Sequence, residues 1–198
     1  LIKWIINSSI FFPYLIHTIK GGKTMSAKRI VGAIFLFGAL AFSASVVLGQ
    51  TSKDFAPLII ELSGWECSEI ETADVDMGTM KMISCQREYT KDGKTIVATV
   101  MIGQQAAQMW NPSYHEGFRM EVEGTLVEVK KINGFLVSTA YEKQSNTGTL
   151  IVPLIEISMG SGTGAIFMLG FEGMDHKEAL NLGKKFDWNK MSALAKKM

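Results

Sequence analysis

From Leu58 to Phe171, apolar and polar positions alternate in short runs that end in turn residues, the pattern of strands with one buried face. The runs are Leu58 to Leu62, Trp65 to Glu71, Met80 to Tyr89, Thr95 to Ile102, Met120 to Val129, Phe135 to Tyr141, Leu150 to Ile157 and Ala165 to Phe171. Within Thr95 to Ile102, the side chains of Ile96, Ala98, Val100 and Ile102 share one side. Lys91-Asp92-Gly93-Lys94 and Ile132-Asn133-Gly134 predict tight hairpins, because Asp-Gly and Asn-Gly accept the positive φ of a primed turn. Gln144 to Gly148 predicts a further turn, and Met159 to Gly164 a glycine-rich loop. Gln104 to Trp110 reads as a short helix that Asn111-Pro112 ends.

After Phe171 the period changes. Asp175 and Glu178 have the spacing of a capping box, and Ala179, Leu180 and Leu182 follow on helical turns. Asp187 opens a second helical stretch with Trp188, Met191, Leu194 and Ala195, and Lys196 and Lys197 suit its negative end. The connections between strands are too short for crossover helices, so pairing is antiparallel. The expected class is α+β: a mostly antiparallel sheet of six or seven strands, with helices, including two short C-terminal ones, packed on one face.

The first 49 residues have another character. Met25 to Gly49 places Lys28-Arg29 ahead of Ile30 to Leu48, a run without charge, which predicts a signal peptide ending before Gln50. An uncleaved membrane anchor through residues 30–48 is the alternative. Both put the downstream domain outside the cytoplasm, in the periplasm or the extracytoplasmic bacterial envelope, because the basic residues come first. Residues 1–24 begin with Leu, and Gly21-Gly22 can be encoded as a ribosome-binding sequence just before Met25. They are read as upstream translation or an extended n-region, with Met25 as the favoured start. Residues 50–57 read as a tether and residues 58–198 as a single α+β domain.

All 19 acidic residues, but only 15 of the 20 basic ones, lie after Gly49. That mildly acidic part lacks the basic stripe a phosphate backbone requires, which argues against nucleic acid. Its two cysteines, Cys67 and Cys85, face each other if a hairpin is centred on Asp76. An oxidising compartment would then close a disulfide contributing about 3 kcal/mol.

Few residues suggest chemistry. His115 and His176 are the histidines beyond the leader, and zinc would want three or four ligands. Ser63, Ser84, Ser113 and Ser138 sit in no nucleophile elbow. Ser158 to Gly164 lacks the Lys-Ser/Thr ending of a phosphate loop. Glu66, Glu69, Glu71, Asp74 and Asp76 miss the spacing of a calcium loop. No catalytic, cofactor-binding or metal residue is therefore assigned, and no cofactor is expected.

The expected function is a non-catalytic binding or accessory domain of the envelope. It would engage an unknown envelope protein or small ligand through a loop-rimmed sheet, with Trp110, Tyr114 and Phe118 either as recognition aromatics or as ordinary packing over an open sheet edge. One alternative is a soft-metal protein holding Cu(I) through the thioethers of Met77, Met80 and Met82, against which stands methionine's use as core filler. Another is a membrane-anchored assembly factor. An enzyme is the least supported class and would need His115 with Glu116 or a nearby carboxylate as its acid–base groups. The order of elements between roughly Leu58 and Met191 resembles small exported α+β domains of photosystem-accessory proteins, which implies a binding or accessory role and transfers no site residue.

Overall fold

The structure, a computed structural model, describes residues 51–78, 81–158 and 160–197, all within one compact unit, Val46–Met198. The segments read as upstream translation, signal and anchor lie outside the described residues, as do Thr79, Met80 and Met159. No helix among the described residues is long and apolar enough to cross a membrane.

The chain opens with helix α1 (Ser52–Phe55) and a 3-10 turn over Ala56–Leu58. Nine strands follow: β1 (Glu66–Cys67), β2 (Glu71–Asp76), β3 (Lys81–Lys91), β4 (Lys94–Gly103), β5 (Arg119–Val122), β6 (Thr125–Ile132), β7 (Phe135–Glu142), β8 (Thr147–Pro153) and β9 (Gly164–Glu172). Helix α2 (Gln104–Met109) sits between β4 and β5, and α3 (His176–Gly183) and α4 (Trp188–Ala195) close the chain. Turns at Asp92-Gly93, Glu123-Gly124 and Asn133-Gly134 have positive φ at both positions, which matches the twist of the strands they join.

The strands form one antiparallel sheet in the order β1-β3-β4-β9-β8-β7-β6-β5, with β2 also paired to β3. Alternation along each strand divides the side chains between two faces. The first face carries Ile96, Ala98, Val100, Phe167, Leu169, Leu150, Val152, Val137 and Leu126, packed with residues of α1, α3 and α4. Phe167 lies 5.0 Å from Phe186 and 6.3 Å from Trp188, ring centre to ring centre, so the loop between α3 and α4 is pinned to the middle of the sheet. Asp175 caps α3 by accepting from the amides of Lys177 (2.7 Å) and Glu178 (2.9 Å). Those bonds hold its carboxyl below the usual carboxylate range. The expected box is half made, since Glu178 turns instead to the Lys94 ammonium at 2.6 Å and ties α3 to β4.

The second face carries a smaller cluster of Met101, Ile166 and Ile157 under Ala106, Ala107 and Trp110. Helix α2 thus covers the face opposite the C-terminal helices. A Cβ on Gly164 would stand 2.6 Å from the Ala107 amide nitrogen, so only glycine lets α2 lie this close.

Several sequence expectations change. Leu58 to Leu62 is not a strand. Its residues Ile59 and Leu62 are buried as an irregular plug, which leaves the carbonyl of Ile60 to accept from the Tyr89 hydroxyl at 2.7 Å. The stretch read as a tether is folded: Phe55 is fully buried, and Ser52 donates its amide (2.8 Å) and hydroxyl (2.6 Å) to Asp74. The run Met120 to Val129 is two strands, divided by the turn at Glu123-Gly124.

The expected disulfide is overturned, and both cysteines are free thiols. The first hairpin is shifted, so Thr72 lies opposite Cys85 and Cys67 lies opposite Tyr89. Four residues of β3 separate the two cysteine positions, about 13 Å along an extended strand and twice the reach of a disulfide. Burial, with the Asp74 charge adding to it, pushes the Cys85 thiol up to about 11.

Candidate functional site

The second face is only partly covered. Beyond α2, the loop from Trp110 to Phe118 brings Tyr114 against the buried cluster, where Leu136, Ile151 and Ile155 also pack, and beside Ser138 of β7. Its aromatics form a chain: Trp110 to Tyr114 edge-on at 5.6 Å, Tyr114 to Phe118 at 5.3 Å, and Phe118 to His115 at 6.0 Å. Burial raises the Tyr114 phenol, with the Ser138 hydroxyl beside it partly offsetting that effect. Trp110 is buried, while Tyr114 and Phe118 are half-buried and His115 is exposed. Trp110, Tyr114 and Phe118 therefore lie together, and the largest of them is mostly occupied with packing.

Past this loop the sheet is only half-covered among the described residues. Strand register aligns Val97, Gly170, Thr149 and Ala140 in one row across β4, β9, β8 and β7. All four are half-buried, and nothing lies within 4 Å of where a Cβ on Gly170 would point. Glu88 continues this row on β3, and Glu172, Thr147 and Glu142 make the next one, so the floor is small and neutral with an acidic margin.

A second constellation lies on the first face near the opposite edge, and sequence reasoning missed it. Glu128 on β6 is 4% exposed yet carries a carboxylate. Its oxygens meet the Lys130 ammonium at 2.7 Å, the Arg119 guanidinium at 3.6 Å and His176 Nε2 at 3.8 Å. The His176 ring rests 5.0 Å from that of Tyr141, whose hydroxyl donates to Asn146 at 2.6 Å. His176 Nδ1 is buried and, among the described residues, has no hydrogen-bond partner. Nothing local could have signalled this meeting, because the register of β5 on β6 and the docking of α3 bring the groups together. Two cations offset one desolvated carboxylate, which is the requirement for burying a charge and describes a structural knot.

The remaining candidates separate. His115 Nδ1 lies 3.2 Å from the carbonyl of Ser113, and no ion pair joins His115 to Glu116 among the described residues. Ser63 and Ser113 are exposed and distant in chain position from any buried acid, and Ser138 sits beside Tyr114. The glycine-rich loop leads into β9 and offers no helix start for a phosphate. Its serines bond each other, the Ser158 amide donating to Ser161 Oγ at 2.9 Å. The acidic run has local duties: Asp74 anchors Ser52, Glu71 accepts from Gln86, and Asp76 accepts from the Gly78 amide and pairs with Lys81. Met77 is exposed and Met82 half-buried, while Met80 lies outside the described residues. Among the described residues no group of three or more His, Cys, Asp or Glu is placed to hold a metal.

A cleft of about 280 Å³ opens between the β6–β7 turn and the α3–α4 loop, lined by Asn133, Phe135, Lys184, Lys185 and Trp188 among others. It falls just below the usual size of a small-molecule pocket. No protein-family model matches the chain, and no curated protein or solved structure matches it either, so the assignment of a role rests on the geometry of the sheet and its loops.

Proposed function

We propose that this protein is a non-catalytic binding domain whose recognition surface is the open part of the second face, bordered by the Tyr114–Phe118 loop. The observation that carries the reading is the row Val97, Gly170, Thr149 and Ala140. These are half-buried residues on a rigid central part of the sheet, with open space over Gly170. Short side chains there make a shallow floor, which suits a polypeptide segment better than a small molecule. Aromatics on one side and Glu88, Glu142 and Glu172 on the other favour a partner with an apolar centre and basic flank. The thiols have no part in this reading, since Cys85 is buried within the first-face core.

The test is a photoreactive phenylalanine derivative at Gly170, compared with the same group at Lys177 on α3, in cells that make the protein. The proposal expects discrete adducts from position 170 that disappear with Val97→Arg. Equal adduct yields from the two positions, or adducts indifferent to Val97→Arg, would sink it.

A further inference from the structure

The outer edge of β5 is built to pair with itself. Strand β5 ends the sheet, and among the described residues nothing pairs with its outer side. All four of its residues are exposed, Met120 at 48% and Val122 at 55%, an unusual exposure for neighbours of this size on one strand.

The direction of its free backbone groups follows from the hairpin. A two-residue turn makes Val122 and Thr125 a hydrogen-bonded pair, and the pattern alternates, so Met120 also spends its amide and carbonyl on β6. The Val129 amide donates to the Phe118 carbonyl at 2.8 Å, which keeps the same phase. Arg119 and Glu121 therefore direct their amides and carbonyls outward.

From this we infer that a second copy of the chain adds antiparallel to β5 about a two-fold axis at Met120. Arg119 of one copy then faces Glu121 of the other, twice. Each of these pairs exchanges two backbone hydrogen bonds, because both members have outward groups. Each also sets a guanidinium directly opposite a carboxylate, the favourable cross-strand combination. Sliding the pairing by two residues in either direction would oppose Arg119 to Arg119 or Glu121 to Glu121, so charge selects the register. On the second face the same register brings Met120 against Met120 and Val122 against Phe118, covering both exposed apolar side chains. Charged edge residues ordinarily repel other strands. Here their order along the strand is complementary to its own reverse, which admits a copy while discouraging unrelated edges. This inference rests on the strand edge and shares only Phe118 with the proposed recognition surface.

A four-residue edge gives an interface at the small end of the range, so a weak, concentration-dependent dimer is expected. The decisive test is cysteine cross-linking of the full chain in mild detergent, in a Cys67→Ser background. A non-hydrogen-bonded antiparallel pair stands about 4.5 Å apart at Cα, within disulfide reach. Met120→Cys is therefore expected to form an interchain disulfide readily. Val122→Cys, whose copies would be four residues out of register, is expected to form at most about a tenth as much under the same oxidant, beyond the reach of that geometry. Glu121→Pro removes an outward amide that β6 does not use, and should leave the protein monomeric in sedimentation with an unchanged melting temperature. Should that variant misfold, Glu121→Arg supplies the check, by opposing like charges and reducing dimer at every concentration. Equal cross-linking at positions 120 and 122, or a wild-type protein that sediments as a monomer up to about millimolar concentration, the range of the weakest specific association, would overturn the inference.

Discussion

One sheet presents two faces of opposite construction. Under α1, α3 and α4 the first face holds Phe167, Leu169, Leu150, Ile96 and Tyr89, all at 1% exposure or less, interlocked with Phe186 and Trp188. The second face has a small buried cluster beneath α2, and then a row of valine, glycine, threonine and alanine that is only half-buried among the described residues. Large side chains on the first face need a lid, because exposing them would forfeit about 25 cal/mol per Å² of apolar surface. Short side chains on the second face forfeit little by meeting water. On the proposed reading, the first face serves stability, while the second serves it beneath α2 and recognition beyond it.

The strongest way to break this comparison is truncation on both faces. Phe167→Ala should cost about 3–5 kcal/mol in urea unfolding, because it removes the ring that joins the sheet to Phe186 and Trp188. Thr149→Ala should stay within about 0.5 kcal/mol of wild type. Comparable losses at the two positions would mean that the second face is covered in solution.

Two glycines on β9 sharpen the same point with one identical change. Gly164→Ala drives a methyl into the backbone of α2 and should cost about 1–3 kcal/mol. Gly170→Ala meets open space in an extended backbone that alanine readily adopts, and should be neutral or stabilising by about 0.4–1 kcal/mol. A loss at Gly170 would show that something rests on that floor.

The smallest effect is a pH dependence belonging to the first face. Burial raises Cys85 from 9.0 to about 11 and also raises Tyr89. Well below pH 9 both groups are neutral in folded and unfolded chains, so their contribution to stability is complete there. Above it the unfolded chain releases protons that the folded one retains, and stability falls as pH rises toward 11. Melting temperatures measured between pH 8 and 11 should decline, and Cys85→Ala should show a shallower decline than wild type. Parallel curves for the two proteins would remove the thiol from this account.

Part of this architecture was legible from the residues. Strands β3, β4, β7 and β9, the helix after β4 and the two C-terminal helices lie close to where periodicity places them. The count fell short because two runs each held parts of two strands: Trp65 to Glu71 spans β1 and the start of β2, and Met120 to Val129 concealed a turn at Glu123-Gly124. Glutamate seldom takes the positive φ found there, so only Gly124 hinted at a hairpin. The plug at Ile59 and Leu62 reads as a strand because a short apolar run has no period of its own. Of the candidate site, the aromatic loop was visible as residues in a polar segment. The open row was not, since Val97, Gly170, Thr149 and Ala140 come from four strands and only register aligns them. Met120 opens a run read as a strand with one buried face and is half exposed, because its strand ends the sheet.

By itself, the sequence determined what is decided within four or five residues. The turns at Asp92-Gly93 and Asn133-Gly134 follow from the φ those residues accept. The caps at Asp175 and Asp187 follow from carboxylates within reach of orphan amides. Tertiary structure alone decided the rest: that Cys67 meets Tyr89 instead of Cys85, that His176 reaches Glu128, and which face each helix covers. The physical reason is that pairing distant segments depends on a register summed over the whole sheet. A shift of a few residues in one hairpin changes every cross-strand neighbour while leaving each local pattern unchanged.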